Sequence, residues 1–223
     1  MNKVSILLPT YNDEKYIEKS IQSILNQSYS NWELLIGFNG TTDSSKEIVK
    51  KFTSDNRIIV YDFENEKGKP KTLNKLLNKA SGDLIALQDG DDIWLPKKLE
   101  EQIKHIEYFD VIGTYISYIN ENEDYIGCPN LSRNHDEIIF KTKSGDNQLA
   151  NSSVLLKKNN LIKIGGWDET LKGLEDFDMW LKLIKINCKF ININKILVFH
   201  RLHSESNFNT QNFDINYILE KNK

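Results

Sequence analysis

Cysteine is scarce in this 223-residue chain: only Cys128 and Cys188 occur, and they stand far apart. That pair builds neither a disulfide scaffold nor a C-x-x-C metal site, so a reducing compartment, the cytoplasm by default, is expected. Long apolar runs are also missing, and nothing approaches the roughly 20 residues that a membrane-spanning helix needs. The opening Met1–Pro9 carries one lysine and a short apolar stretch closed by proline. It is too short for the core of a signal sequence and reads as a first strand. The protein is therefore expected to be soluble, or at most peripheral at a membrane. Charge of one sign is lacking too, since 29 Lys and Arg face 32 Asp and Glu for a formal net charge of −3. No basic field argues for a nucleic-acid partner.

What is present is a set of discrete apolar runs, 39% hydrophobic residues in all, enough to bury a core. In the first half they alternate between two periods. Val4–Leu8, Trp32–Ile36, Arg57–Tyr61 and Asp83–Leu87 read as strands. Between them, Tyr16, Ile17, Ile21, Ile24 and Leu25 share one helical face, with Asp13 as the expected N-cap. A second helix runs through Ile48, Val49 and Phe52, and a third through Leu73, Leu76 and Leu77. Strand, helix and strand at this spacing imply βαβ units and an α/β fold with a mostly parallel twisted sheet. After Pro96 the pattern changes to a helix (Lys97–Tyr108), a long strand (Val111–Ile119) and a polar stretch (Asn120–Asn147) expected to be an irregular loop. A strand at Ser152–Lys157, helices at Lys158–Ile164 and Phe177–Ile186, and closing strands at Phe190–Asn194 and Ile196–His200 follow. No internal repeat or low-complexity linker divides the chain, so residues 1–223 are expected to form one domain with two functional halves.

Polar residues gather where strands give way to loops. Pro9-Thr10-Tyr11-Asn12 follows the first strand, Asn39-Gly40-Thr41-Thr42-Asp43 the second, and Asp89-Gly90-Asp91-Asp92 the fourth. A parallel sheet brings all three to its carboxyl edge, where ligands of open α/β sheets bind. Clustered carboxylates on one turn repel unless a cation shares them, and hard oxygen ligands suit Mg²⁺ or Mn²⁺, which also bind nucleotide phosphates. A solvated acidic turn is the plain alternative. Glu175-Asp176, just ahead of the helix containing Trp180, adds two more carboxylates.

These segments, in order, resemble the inverting family-2 glycosyltransferases with the GT-A fold. Ser5–Asn12 is similar to that family's opening strand and P-x-Y-N loop. Asn26-Gln27-Ser28-Tyr29-Ser30-Asn31-Trp32-Glu33-Leu34 is similar to its N-Q-[ST]-Y-x-[ND]-[WF]-E passage. Asn74 and Ala80-Ser81-Gly82-Asp83 match the stretch before the metal motif, and Asp89–Asp92 matches the D-x-D-D motif itself. Gly165-Gly166-Trp167-Asp168-Glu169 matches an acceptor-side loop, and Glu175-Asp176 the general-base motif. Membrane helices and a Q-x-x-R-W signature are both absent, which argues against a processive polysaccharide synthase.

The resemblance implies transfer of a sugar, of hexosyl or N-acetylhexosaminyl type, from a nucleotide-diphosphate sugar, with UDP-linked donors the expectation. The acceptor would be a glycan, lipid-linked or protein hydroxyl, and a divalent cation, Mn²⁺ or Mg²⁺, the cofactor. Residues up to about 95 would bind the donor, and those from about 96 the acceptor, beside a smaller mixed or antiparallel part of the sheet. Pro9, Thr10, Tyr11, Asn39, Asp89 and Gly90 would line the nucleotide-sugar site. Asn39, preceded by Phe38, stands where the family usually has Asp; its amide both accepts and donates, so base selectivity can differ. Asp91, Asp89 and His203 would hold the metal, with Asp92 coordinating or orienting its neighbours. Arg201 would clamp phosphate. Asp176 would be the base, with Glu175 in reserve, and Trp167 and Asp168 would meet the acceptor, Trp167 by stacking. Lys69 and Lys71 could neutralise phosphate, but solvated surface lysines are the expectation. Two other readings stay open: a sugar-nucleotide-binding protein with little catalysis, and a metal-dependent nucleotidyltransferase.

Overall fold

The computed structural model describes residues 2–63, 67–171, 173–204 and 214–223. Its strands are β1 (Val4–Thr10), β2 (Trp32–Phe38), β3 (Ile58–Asp62), β4 (Leu84–Leu87), β5 (Ile93–Trp94), β6 (Val111–Ile119), β7 (Tyr125–Gly127), β8 (Leu155–Lys157) and β9 (Phe190–Arg201). Among the helices, α1 (Ile17–Leu25), α2 (Ser45–Lys50), α3 (Lys69–Lys79) and α4 (Lys98–Ile103) come first. They are followed by α5 (His135–Lys143), α6 (Lys158–Lys163), α7 (Glu175–Lys185) and α8 (Ile215–Lys221). One nine-stranded sheet has the order β3-β2-β1-β4-β8-β6-β9-β5, with β7 on the side of β6. Strands β3, β2, β1 and β4 are parallel, as the βαβ rhythm requires. The second half does not form a separate sheet. Antiparallel β8 pairs with both β4 and β6 and welds the halves into one surface.

Alternation along β1 sorts its side chains to two faces. Val4, Ile6 and Leu8 join Ile17, Ile21 and Ile24 of α1 and Leu99 of α4 on one side. Leu7 joins Leu73, Leu76 and Leu77 of α3 and Met179, Trp180 and Leu183 of α7 on the other. Both faces are covered, so the strands are buried throughout, and each such aliphatic side chain contributes about 1.5–3 kcal/mol.

Three expectations change. Asp13 does not cap α1 with its side chain: its carbonyl receives the amides of Tyr16 and Ile17, and its carboxylate turns elsewhere. The stretch Asn120–Asn147 is not an irregular loop, because Ile138 and Thr142 bury one face of α5 and Tyr125–Gly127 adds a strand. The two closing strands are one, β9, whose register against β6 shifts around Tyr115 and leaves Asn194, Lys195 and Ile196 exposed.

At the amino edge of the sheet Glu33 ties three strands together. Its carboxylate accepts from Ser5 Oγ (2.6 Å), the Ser81 amide (2.7 Å), Ser81 Oγ (2.8 Å) and Lys3 Nζ (2.8 Å). The Gly82 amide donates to Ser5 Oγ at 2.8 Å, closing the network. Burial alone would raise the Glu33 pKa, but the bonds from Lys3, Ser5 and Ser81 outweigh it and bring it from 4.5 down to about 2. A depressed carboxyl contributes stability that is fully present above 4.5 and is lost as pH falls toward 2. Glu33→Gln is thus expected to cost about 3 kcal/mol at pH 7. Denaturant melts at pH 7 and pH 3 check this: the wild type should lose more stability on acidification than the variant, and equal losses would refute the account.

Candidate active site

The carboxyl edge is assembled by register. β1 and β2 align Thr10 with Phe38, and β1 and β4 align Leu7 with Leu87, so Tyr11, Asn39 and Asp89 emerge together. The Asn39 amide and Thr41 Oγ1 both donate to the Thr10 carbonyl at 3.1 Å and lock the first two loops. Thr10 is buried, and its hydroxyl has no hydrogen-bond partner among the described residues; Tyr11 is 52% exposed at the rim. Pro9 lies within β1, paired with Gly37 and buried. Asp43 is structural: its carboxylate accepts the Ser45 amide (3.0 Å) at the start of α2 and the Glu14 amide (2.9 Å).

The D-x-D-D loop is braced from α1, where Ser20 Oγ donates to the Asp89 carbonyl (3.1 Å) and receives Gln88 Nε2 (2.7 Å). Short β5 then pairs antiparallel with β9, Ile93 against Phe199 and Trp94 against Val198. That register carries His200, Arg201 and His203 beside the acids. Each aspartate receives a different environment. Asp89 accepts from Lys69 Nζ (2.6 Å), Asn151 Nδ2 (3.1 and 3.2 Å) and Ser152 Oγ (3.0 Å). Burial would raise its pKa, but Lys69 and Asn151 prevail and hold it below the usual carboxylate range. Asp92 is fully buried between the Arg201 amide (2.9 Å) and His200 Nδ1 (3.0 Å). Burial works against the His200 charge, yet attraction to Asp92, with Asp91 and Asp89 behind it, lifts that pKa to about 9. Asp91 keeps the most open carboxylate, 21% exposed, with Oδ2 at 3.0 Å from His203 Nε2.

Several expected roles shift accordingly. Both Asp89 oxygens are engaged by Lys69, Asn151 and Ser152, so Asp89 is not open to a metal and stands on the β4 side of the edge. Arg201 does not clamp phosphate: it is 1% exposed, donating to the carbonyls of Asp91 (3.0 Å) and Asn120 (3.0 Å) and to Glu123 (3.1 Å). It splints the acidic loop instead. Trp167 is 2% exposed within the core against α3 and α7, so its ring has no face for a sugar. Its turn is a folding device: Asn74 on α3 donates to the Trp167 carbonyl (2.9 Å) and accepts its amide (2.9 Å), while Gly166 adopts φ 72°. Asp168 is held by Thr170 (2.6 Å) and by Lys221 of α8.

That turn delivers α7, whose first residues are Glu175 and Asp176, after Leu174 in the left-handed region (φ 55°). Acids suit a helix N-terminus. Asp176 accepts the Phe177 amide at 2.7 Å; burial first, and then Glu175, push its pKa up to about 6. Between this pair and the loop after β4 lies Lys69, 2.6 Å from Asp89 and 3.9 Å from Glu175. It is not a solvated surface lysine. Asp13 was also missed as a site residue. Its Oδ2 accepts the Tyr11 amide (3.1 Å), and burial, then Asp91, raise its pKa to about 7. A proline-closed strand followed by polar residues and an acid was the available signal.

Can these groups hold a divalent cation? Among the described residues no three His, Cys, Asp or Glu side chains form a ready cage. Asp91 and His203 do present one oxygen and one nitrogen donor to each other at 3.0 Å from separate loops. Such a pair fits an Mn²⁺ or Mg²⁺ ion whose remaining positions are filled by water and substrate phosphates.

A sheet curled between two helical layers with an acidic carboxyl edge defines a GT-A-type α/β fold. Residues 5–163 match the Glycosyl transferase family 2 model, and the chain belongs to that family: it is a glycosyltransferase. The Escherichia coli O-antigen biosynthesis glycosyltransferase WbnJ is 31% identical over 92% of this chain and 82% of its own length. The Escherichia coli UDP-Glc:alpha-D-GlcNAc-diphosphoundecaprenol beta-1,3-glucosyltransferase WfgD is 33% identical over 84% of this chain and 74% of its own. Among solved structures, S. aureus TarS 1-349 in complex with UDP-GlcNAc superposes with a TM-score of 0.81 at 19% identity, covering 99% of this chain. This chain spans 66% of the TarS chain, just under two thirds. Among the described residues no helix is long and apolar enough to cross a membrane.

Gly90 tests how tightly the edge is packed, because a Cβ there would lie 2.5 Å from Asp13 Oδ2. Gly90→Ala is expected to cost about 1–3 kcal/mol through overpacking. Pairing it with Asp13→Ala should recover most of that loss in thermal melts. A double variant no more stable than additivity allows would rule out the steric account.

Proposed function

We propose that the chain transfers a sugar, with inversion, from a nucleotide-diphosphate sugar, UDP-linked by expectation, to a hydroxyl of a lipid-linked glycan. The observation that carries this reading is the meeting of the D-x-D-D loop and the Glu175–Asp176 pair across the Lys69 ammonium. The donor's nucleoside would lie over Thr10, Tyr11 and Asn39, with Asp89 toward its ribose. The acceptor class is suggested by WfgD, whose name gives a diphosphoundecaprenol-linked acceptor.

Asp176 is the proposed base. It takes the proton of the acceptor hydroxyl as that oxygen attacks the anomeric carbon. The bond from that carbon to the diphosphate breaks, and its electron pair leaves with the nucleoside diphosphate. A carboxyl poised near 6 is ionised at neutral pH and still basic enough to accept the proton. Asp91 and His203 would hold a divalent cation, which when bound supplies neutralisation of the diphosphate's growing charge. Glu175 keeps the local field negative, and Arg201 and His200 hold the acidic loop in place.

Thermal-shift screening of nucleotide sugars with and without Mn²⁺ tests the reading first. Stabilisation by one donor that depends on the metal is the expected result; no response to any of them would count heavily against it. Pyrophosphate release from a nucleoside triphosphate would favour a nucleotidyltransferase instead. Asp176→Asn should lower kcat about 10²–10⁴-fold with donor binding retained. The wild-type kcat/KM should rise with pH through about 6, where Asp176 loses its proton, and then level off. An unchanged rate in the variant would remove Asp176 from the base role.

A further inference from the structure

Lys69 occupies a position that helix chemistry does not explain. It is the first residue of α3, an 11-residue helix with no acidic residue in its first turn. A cation there opposes the helix dipole and is disfavoured by about 0.3–1 kcal/mol unless something else offsets it. The offset lies outside the helix. The ammonium sits 2.6 Å from Asp89 Oδ1 on the β4 side and 3.9 Å from Glu175 Oε1 on α7, with its side chain only 28% exposed. The other side chains on Asp89, Asn151 and Ser152, are neutral donors fixed to the same sheet edge. Among these contacts only Lys69 reaches across to α7.

We propose that Lys69 is a positioning residue which, by bridging Asp89 and Glu175, sets the spacing between the donor side of the site and the Asp176 base. The inference rests on the functional reading above. Asp176 and Glu175 are adjacent on α7, so a contact that fixes Glu175 fixes the approach of Asp176. The opposite end of the bridge is anchored, since Asp89 is tied to Ser152 through both its amide (3.2 Å) and its carboxylate (3.0 Å). The start of α3 is anchored too, with Pro70 in its first turn and Leu73, Leu76 and Leu77 packed in the core. Without the ammonium, Asp89, Glu175 and Asp176 face one another with no bridging cation, and repulsion drives α7 away from the donor side. Displacement of a catalytic group by about 1 Å is enough to cost about 100-fold in rate. Nucleoside contacts on the loops after β1 and β2 do not pass through Lys69, and Asp89 keeps Asn151 and Ser152 when the ammonium is lost, so donor affinity is largely preserved.

Lys69→Met removes the charge while keeping the stem, and Lys69→Arg keeps a cation that can fork onto two carboxylates. Both are compared with the wild type by calorimetric binding of UDP with Mn²⁺ and by steady-state transfer with the donor found in the thermal screen. Lys69→Met should lower kcat about 100-fold with the UDP Kd within about threefold, and Lys69→Arg should recover at least about tenfold of that loss. A kcat within about threefold of wild type in Lys69→Met would overturn the proposal. So would a loss carried wholly by the UDP Kd, which would make Lys69 a donor ligand. If Lys69→Met fails to fold, Lys69→Gln, which retains a hydrogen-bond donor without charge, is read by the same criteria. Absence of wild-type turnover with every donor would overturn the functional reading itself, whereas normal turnover in the variants overturns the bridge alone.

Discussion

Asp13, Asp89, Asp91, Asp92, Glu175 and Asp176 act on one another at the carboxyl edge of a single sheet, close enough for their charges to move each other's pKa. At an effective dielectric of about 20, two carboxylates about 4 Å apart repel by about 4 kcal/mol. Such an edge exists only if other parts of the chain supply cations and donors to it. The supply lines explain much of the architecture. Asp92 needs His200 and the Arg201 amide, which arrive only because β5 pairs with β9. Asp89 needs Lys69, which arrives because Gly68 and Pro70 start α3 where they do. The second half of the chain therefore supplies partners to an edge that the loops of the first half begin.

Seen from this edge, the residues that make the family recognisable divide into two kinds. Glu33, Ser81 and Gly82 work at the far, amino edge, where their hydrogen bonds staple β1, β2 and β4. Asn74 and Gly166 work behind the site: a Cβ on Gly166 would lie 2.3 Å from Asn74 Oδ1, so the turn closes only on glycine. None of these side chains faces the acidic edge. They fix strand register and the exit of α7, and the geometry of the acids follows from both. Recurrence of a motif within a family thus marks places where a backbone has one way to run, as well as places where a ligand sits.

The parallel half was legible in the sequence because its signals are local. Each strand is a continuous apolar run and each helix has one apolar face, so burial on both sides of the sheet follows directly. The polar edge was legible for the same reason, since a loop after a parallel strand has nowhere else to go. What escaped was set by long-range pairing. Arg201 reads as a phosphate clamp until β9 is seen to bury it under the carbonyls of Asp91 and Asn120. Trp167, flanked by glycines, reads as a platform until Asn74 is seen to fold that turn into the core. Lys69 reads as surface because its partners lie 20 and 106 residues away along the chain, in the loop after β4 and on α7. Its one local clue was a lysine at the start of a helix, against the dipole.

The three aspartates of the D-x-D-D run show how partners, rather than residue type, assign roles. Side-chain exposure is 18% for Asp89, 21% for Asp91 and zero for Asp92. A fully buried carboxylate must have its charge and lone pairs met by the protein; burial pushes the Asp92 pKa up, and an imidazole and a backbone amide offset part of that. That leaves it nothing for a ligand, and makes it the anchor that joins β5 to β9. Asp89 is satisfied by an ammonium and neutral donors, an arrangement that can exchange one partner for a ribose hydroxyl without stranding a charge. Among the described residues, the hydrogen bond to the Asp91 carboxylate comes from the His203 ring, so it is the member of the run that can turn to a cation at the least cost. The same sequence spacing with the cationic partners permuted would give a different order of roles, which is why the run alone could not assign them.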